Sequence, residues 1–406
     1  MKSYKFYIDN TTWDCEVSIV DSSRIYRYLI KNGHKHTNNP SDAEYIIINT
    51  CGFIESFKKR SITLYEKYNL EKNKNATIIF FGCLVKIEPE LIKSLNVNTI
   101  SPDEEYKFDE IFYNKVKLEE IKPYSDEETK RILKRNTRAK QPRYLYFVLS
   151  ELMLQFFKRL RWNYNKIIDS YLQKNRNFIE IGRGCTGNCS YCVIKKARGN
   201  IKSRPIKDII LDIDRLNDPS KKLYLVANDC GCYGLDIDTN LINLLYEINK
   251  KFPKLSIELD YLNPFLLEKY RSEYIKLFVD VNIDYVTIPM QGGSNKILKN
   301  MKRNYDAARV VKIIDDIKKD SPKTFIYSHF IIGFPGENWI DFFKMLNSAR
   351  HFDLPIPFRY SENKQVESVK LPKHKSKLMI NTRFHLAIIY FNFVIFFKLL
   401  THPKLN

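Results

Sequence analysis

The chain lacks the patterns on which most hydrolytic and phosphoryl-transfer enzymes rest. There is no Gly-rich Walker loop and no defensible Ser-His-Asp arrangement. The seven histidines show no metal-ligand spacing. This excludes a His-ligated zinc site, and His329 reads as a satisfied polar group at a strand end. Cysteine is sparse: eight in 406 residues, too few for a disulfide framework. The opening Met1-Lys-Ser-Tyr-Lys-Phe-Tyr-Ile8 reads as an immediate first strand rather than a secretory leader, so a reducing cytoplasm is expected. Long hydrophobic runs are also missing. The most apolar stretch, residues 384–397, is bounded by Arg383 and Lys398 and falls short of the ~20 residues a membrane span needs. A buried or interfacial helix is expected there.

Acidic residues are missing where basic ones accumulate. The formal net charge is +20. Residues 131–176 hold 12 Lys and Arg against Glu151 and Asp169, and residues 370–406 hold seven Lys and Arg and no acid. The rest of the chain is nearly neutral. Confinement to two segments points to patches for nucleic acid or an anionic membrane surface. At this length two or three domains are expected.

Three of the cysteines are closely spaced. Ile181-Gly-Arg-Gly-Cys-Thr-Gly-Asn-Cys-Ser-Tyr-Cys192 places Cys185, Cys189 and Cys192 in a C-x3-C-x2-C triplet. Three thiolates on one loop can hold three irons of a [4Fe–4S] cube. With no fourth cysteine, one iron stays open to a cofactor or substrate. Zinc sites come as two C-x2-C pairs, and no second pair follows. The spacing resembles the radical-SAM signature, in which S-adenosylmethionine chelates the open iron, and Tyr191 before the third cysteine is usual there.

The elements alternate. Strands are expected at 4–9, 45–49 and 77–81, with helices at 17–31 and 55–68, indicating an open parallel α/β domain over residues 1–120. Each strand runs into a cysteine-bearing loop, at Cys15, Cys51 and Cys83. Sites in open α/β sheets form at the carboxyl ends of strands, so these three cysteines can converge on a second cluster. Residues 121–176 read as a basic aromatic insertion with one long amphipathic helix over 144–168. From 177 to 370 a new alternation begins. Strands fit 178–182, 222–227, 255–259, 284–288, 324–331 and 355–360; helices fit 206–217, 239–251, 264–276, 294–318 and 337–351. Six such units suggest a partial (βα)6 TIM-type barrel with its site at the strand carboxyl ends. Residues 371–406 form a basic apolar helical tail.

Taken together these segments resemble the radical-SAM methylthiotransferases. In the first domain the resemblance rests on Asp14-Cys15, Val20-Asp21-Ser22, Asn49-Thr-Cys-Gly-Phe-Ile54 and Phe81-Gly-Cys-Leu84. In the barrel it rests on the cysteine triplet, Ala197-Arg-Gly199, Ser203-Arg-Pro205, Asn228-Asp229 with Tyr233-Gly234, Pro289-Met-Gln-Gly-Gly-Ser294, Met301-Lys-Arg303 and Ile332-Gly-Phe-Pro-Gly-Glu337. The resemblance implies two [4Fe–4S] clusters and S-adenosylmethionine. In that family the barrel cluster cleaves S-adenosylmethionine to a 5′-deoxyadenosyl radical, which takes hydrogen from an unactivated carbon. The second cluster supplies sulfur and a second S-adenosylmethionine the methyl group. Inert C–H bonds call for such cofactor chemistry, and no side-chain acid or base is implied. The resemblance also implies an external electron donor such as flavodoxin or ferredoxin, an unspecified sulfur donor, and an acceptor that is a tRNA adenosine beside the anticodon or a ribosomal-protein aspartate. The tRNA is favoured. A peptide or protein side chain, reached with peripheral membrane contact by the aromatic-basic helices, is the alternative; an inactive RNA- or partner-binding member is a third.

Departures from the family pattern matter as well. The usual C-terminal RNA-binding β-barrel is not expected in the stretch after about residue 372, and the two basic segments are expected to replace it. Asn228 stands where Gln is usual, and Cys230 and Cys232 are extra cysteines expected to be spectators. The resemblance makes Tyr191, Arg198, Arg204, Asp229, Gln291, Gly333 and Gly336 candidate cofactor-binding residues. Arg198 and Arg204 would grip a carboxylate, Gln291 would face the open barrel, and Gly333 and Gly336 would let backbone approach the adenine.

Overall fold

The computed structural model describes residues 2–11, 15–135, 176–216, 218, 221–372 and 374–401. The expected helix at 144–168 lies outside the described residues.

β1 (Lys5–Asn10), β2 (Lys35–His36), β3 (Tyr45–Thr50), β4 (Thr77–Gly82) and β5 (Asn98–Ile100) form one parallel sheet in the order β2-β1-β3-β4-β5. Its central strands are apolar on both faces because both are covered. Ile8, Ile47, Ile79 and Phe81 pack on the helix Glu16–Lys31 through Val20, Tyr28 and Leu29. Tyr7, Ile46, Ile48 and Phe80 pack on the other side with Tyr68 of the helix Glu55–Glu71.

The second sheet contains β6 (Tyr124–Ser125), β7 (Arg176–Glu180), β10 (Lys222–Val226), β11 (Ile257–Leu259), β12 (Ile283–Thr287), β13 (Phe325–Ile332) and β14 (Leu354–Arg359). The six strands from β7 to β14 are parallel and lie in sequence order, as in the partial (βα)6 barrel; β6 closes the edge antiparallel to β7. β8 (Gly182–Arg183) and β9 (Lys202–Ser203) form a two-residue antiparallel clip at the base of the cysteine loop. The two domains share apolar packing: Phe178, Tyr224, Val226 and Tyr285 of the barrel belong to the same buried cluster as Phe6, Ile8 and Tyr28.

Two expected helices are broken. Residues 264–276 divide into Pro264–Lys269 and Arg271–Asp280. Residues 294–318 divide into Asn295–Asn300 and Ala307–Asp320. The second break contains Lys302 at φ +55°, and Asp306 restarts the helix by accepting from the Arg309 N–H. Apolar periodicity runs through both breaks, so a reading from periodicity alone merges them.

The C-terminal segment is part of the barrel rather than an appendage. Its helix Lys377–Thr401 packs on β14 and on the helix Trp339–Ala349. Ala387, Ile388, Phe391 and Ile395 enter the barrel core. Arg383, almost fully buried, pairs with Glu337 at 2.6 Å.

Candidate functional site

The three N-terminal cysteines sit at the carboxyl ends of three adjacent strands. Cys15 caps the helix that follows β1, Cys51 directly follows β3, and Cys83 opens the helix Cys83–Ile87 after β4. Gly82 makes the last turn possible. It adopts φ +107°, and a Cβ there would meet Asn49 Oδ1 at 2.6 Å and Thr50 O at 2.7 Å. The thiols are close enough for their charges to interact: Cys83 acts on Cys15 and Cys51, and Cys15 on Cys51. Burial is the larger effect and pushes Cys15 up to about 12 and Cys51 higher still. Buried thiols of this kind become thiolates when iron binds.

The barrel triplet occupies the loop after β7, beyond the clip. Asn228 Oδ1 accepts the Gly184 N–H at 3.0 Å, so the residue that departs from the family's Gln pins the cluster loop. The Gly187 N–H points at Cys185 Sγ at 3.2 Å and the Ile194 N–H at Cys192 Sγ at 3.5 Å. A Cβ on Gly187 would lie 3.2 Å from Cys185 Sγ and 3.9 Å from Cys189 Sγ. This glycine keeps open the space between two thiols. Burial pushes Cys192 up to about 12, with Cys189 and Cys185 adding to the effect.

Charged side chains join the two cysteine sets. Arg198 donates Nε–H to Cys83 Sγ at 3.2 Å and pairs through Nη1 with Asp21 at 2.8 Å. Asp21 also receives Arg183, which is bound in turn to Glu180 and Glu105, and Glu105 holds Arg24. Burial alone would raise the Asp21 pKa; the guanidiniums of Arg183 and Arg198 overcome it and hold this carboxyl below its ordinary value. Asp21 and Arg183 stand in quoted motifs, but nothing in their spacing indicates a partner in the other domain.

Within the protein, Arg198 and Arg204 have different partners. Arg198 serves the N-terminal cysteine set. Arg204 is committed inside the barrel to Asp212 and to the Glu180 carbonyl. Gly333 (φ +81°) and Gly336 (φ +84°) do take the left-handed backbone, but a Cβ on Gly333 would collide with Ile380 at 2.6 Å. The residue makes room for the C-terminal helix. Gln291 (φ +62°) bridges to β13, donating to the His329 carbonyl and accepting from Ile331 N–H.

Arg303 is the residue the sequence reading left without a role. The break after Asn300 turns it to the cysteine loop, where Nη1 donates to Tyr191 Oη at 3.2 Å and lies 3.9 Å from Cys189 Sγ. Its Nε is buried and has no hydrogen-bond partner among the described residues. On the other side of the loop, Asp229 is 6% exposed. Its Oδ2 accepts from Asn263 at 2.9 Å and from the Cys232 thiol at 3.2 Å, while Oδ1 is buried and has no hydrogen-bond partner among the described residues. A free guanidinium N–H beside thiolates and a free buried carboxylate oxygen suit an anionic cluster with a zwitterionic, sulfonium-bearing cofactor.

Cys230 is a spectator in the core. Cys232 is not remote: its Sγ, Cys185 Sγ and an Asp229 oxygen all lie within 4.8 Å of one another. Hydrogen bonding with Cys232 lowers the Cys185 pKa below its ordinary value.

Aromatic side chains line the barrel interior near these loops. His329 contacts the rings of Tyr261, Tyr327 and Phe358 at 5.7, 4.7 and 4.8 Å. Its ring makes no hydrogen bond among the described residues, contrary to the expectation of a satisfied polar group. Loss of hydration pushes its pKa down to about 3.

Residues 179–349 match the Radical SAM superfamily, and residues 5–100 match the Uncharacterized protein family UPF0004. A ribosomal protein uS12 methylthiotransferase of Sulfurihydrogenibium sp. is 30% identical over 386 residues, covering 93% of this chain and 78% of the relative. A second, from Alkaliphilus oremlandii, is 31% identical over 367 residues, covering 88% and 75%. A probable threonylcarbamoyladenosine tRNA methylthiotransferase of Methanocaldococcus jannaschii is 27% identical over 370 residues, covering 90% and 78%. In fold, the whole chain superposes on the cobalamin-dependent S-adenosylmethionine radical enzyme OxsB with a TM-score of 0.53 at 11% identity, spanning 56% of that structure. S-adenosylmethionine and [4Fe–4S] clusters, typically two, are the family's cofactors. The chain is a member of the radical-SAM methylthiotransferase family.

Proposed function

We propose that the protein inserts sulfur and a methyl group at an unactivated C–H carbon of a tRNA adenosine near the anticodon. The observation that carries this reading is the junction of Arg198, Cys83 and Asp21, which ties the two cysteine sets together at one end of the barrel. Cys185, Cys189 and Cys192 would hold the radical-forming cluster, and Cys15, Cys51 and Cys83 the sulfur-bearing one. When bound, these groups supply radical and sulfur chemistry that no side chain provides. The chain's own residues do the rest. Arg303 and Tyr191 flank Cys189, Asp229 flanks Cys185, and Tyr261, Tyr327, His329 and Phe358 offer ring faces on which a base can stack.

The basic stretch at 131–176 supports an RNA acceptor through phosphate contacts. The similarity to a tRNA-modifying relative also supports it. The relatives of 30–31% identity act on uS12, and this favours a protein side chain as the second reading. A cytoplasmic location and a flavodoxin- or ferredoxin-like electron donor belong to either reading. Anaerobic turnover with bulk tRNA, followed by mass analysis of nucleosides, tests the proposal. A methylthio-adenosine derivative is expected. Unmodified tRNA, together with a methylthio group appearing on ribosomal protein, would overturn the tRNA reading and leave the chemistry standing.

A further inference from the structure

Exposed large apolar side chains concentrate on two adjacent helices. On the helix Trp339–Ala349, Trp339, Ile340 and Phe343 are 40, 66 and 60% exposed. On the helix Lys377–Thr401, Leu386, Ile389 and Phe393 recur at three- and four-residue intervals and are 42, 49 and 46% exposed. They form a stripe opposite the core residues Ala387, Ile388, Phe391 and Ile395. The two helices meet where the Arg383 guanidinium lies 4.5 Å from the Trp339 ring centroid. Scattered exposed apolar residues are ordinary, but a contiguous patch marks a contact surface.

Exposed cations flank this patch. In the C-terminal segment Lys370 and Lys377 are exposed, whereas Arg383 is bound to Glu337 and Lys398 is part-buried on the Phe352 carbonyl, with Asp315 and Asp353 held by His351 and Lys318. On the helix Trp339–Ala349 and its cap, Lys344 and Arg350 are exposed, while Asp341 is buried against Ser294 and Lys296. The nearby acids Glu362 and Glu367 are held by His374 and Lys302. An aliphatic and aromatic centre with a cationic rim matches an anionic lipid surface. RNA does not suit the centre, which offers no hydrogen-bond donors to phosphate. A second copy does not suit the rim, where like charges would oppose one another.

The segment Lys377–Ile395 is long and apolar enough to cross a membrane, yet 33% of it is buried within the protein, and Arg383 is locked to Glu337. We propose that this face seats the protein peripherally on an anionic lipid surface, the two helices lying in the interfacial plane. This goes beyond the transferase reading and does not depend on the acceptor.

The test uses the full chain with sedimented vesicles of phosphatidylcholine alone and of phosphatidylcholine with an equal part of phosphatidylglycerol. Binding to the anionic vesicles is expected, weakening with salt. It should fall at least about tenfold in Ile389→Asp/Phe393→Asp, given two apolar side chains lost from the contact. A second measurement does not require that variant to fold. With Trp13→Phe and Trp162→Phe, Trp339 is the remaining tryptophan, and its emission should shift to the blue on anionic vesicles. No binding to anionic vesicles, binding unchanged by the substitutions, or unshifted Trp339 emission would each overturn the proposal. So would a patch variant that converts a dimer to a monomer or abolishes tRNA retention with vesicle binding intact.

Discussion

Arg198 donates its Nε–H to Cys83 Sγ at 3.2 Å, from the helix that follows the barrel's cysteine loop to a cysteine of the other domain. Its partner Asp21 is fully buried and Arg198 nearly so. Removing Arg198 leaves Asp21 with Arg183 as its remaining partner, so the cost should stay below the roughly 3–5 kcal/mol of a wholly unpaired buried charge. Arg198→Leu should lower stability by about 1–3 kcal/mol, with Arg198→Lys recovering part of it. Denaturant unfolding of the cluster-free protein measures this. A loss below about 1 kcal/mol would mean that the junction does not hold the domains together.

Glu337 and Arg383 make the corresponding contact at the C-terminal helix. Glu337 also accepts the Gly333 N–H at 3.1 Å, so one carboxylate ties the loop after β13 to that helix. Arg383→Leu should cost about 3–5 kcal/mol and open the helix to proteolysis. Gly333→Ala should do the same by a different route, through collision with Ile380 and strain at φ +81°. Limited proteolysis that leaves residues 377–401 intact in both variants would contradict this.

Cys232 lies against Cys185, beside the three cysteines proposed to hold the barrel cluster. Cys232→Ala should therefore retain the full iron content after reconstitution, whereas Cys185→Ala should lose about four irons. Loss of iron from Cys232→Ala would make it a ligand.

Partial loss of hydration among the rings of Tyr261, Tyr327 and Phe358 pushes the part-buried His329 below an ordinary histidine, down to about 3 from 6.5. The unfolded chain binds the proton first, so the contribution of His329 to stability is present above pH 6.5 and is lost as pH falls toward 3. Unfolding measured from pH 8 to pH 4 should show a steeper loss for the natural protein than for His329→Phe. Identical pH profiles would contradict the burial argument.

Much of this architecture is written locally. The runs at 45–50 and 77–82 are apolar on both faces because each strand is covered twice, and the cysteines follow their strands directly. What could not be read is tertiary. The Lys302 backbone at φ +55° splits a helix whose periodicity continues, and that split brings Arg303 to Cys189. Arg198 and Arg204 look alike in sequence, each a guanidinium shortly after a cluster loop. Only the packing of the first domain sends one to Cys83 and the other to Asp212. The final helix is basic and apolar in composition, but its buried edge is defined by β14 and by Glu337.

The central claim, two clusters serving one site, is tested most directly by iron and sulfide content after anaerobic reconstitution. The natural protein would be compared with a variant in which Cys185, Cys189 and Cys192 are all alanine. The account predicts about eight irons falling to about four. About four irons falling to none would leave a single barrel cluster and contradict sulfur insertion by the N-terminal cysteines.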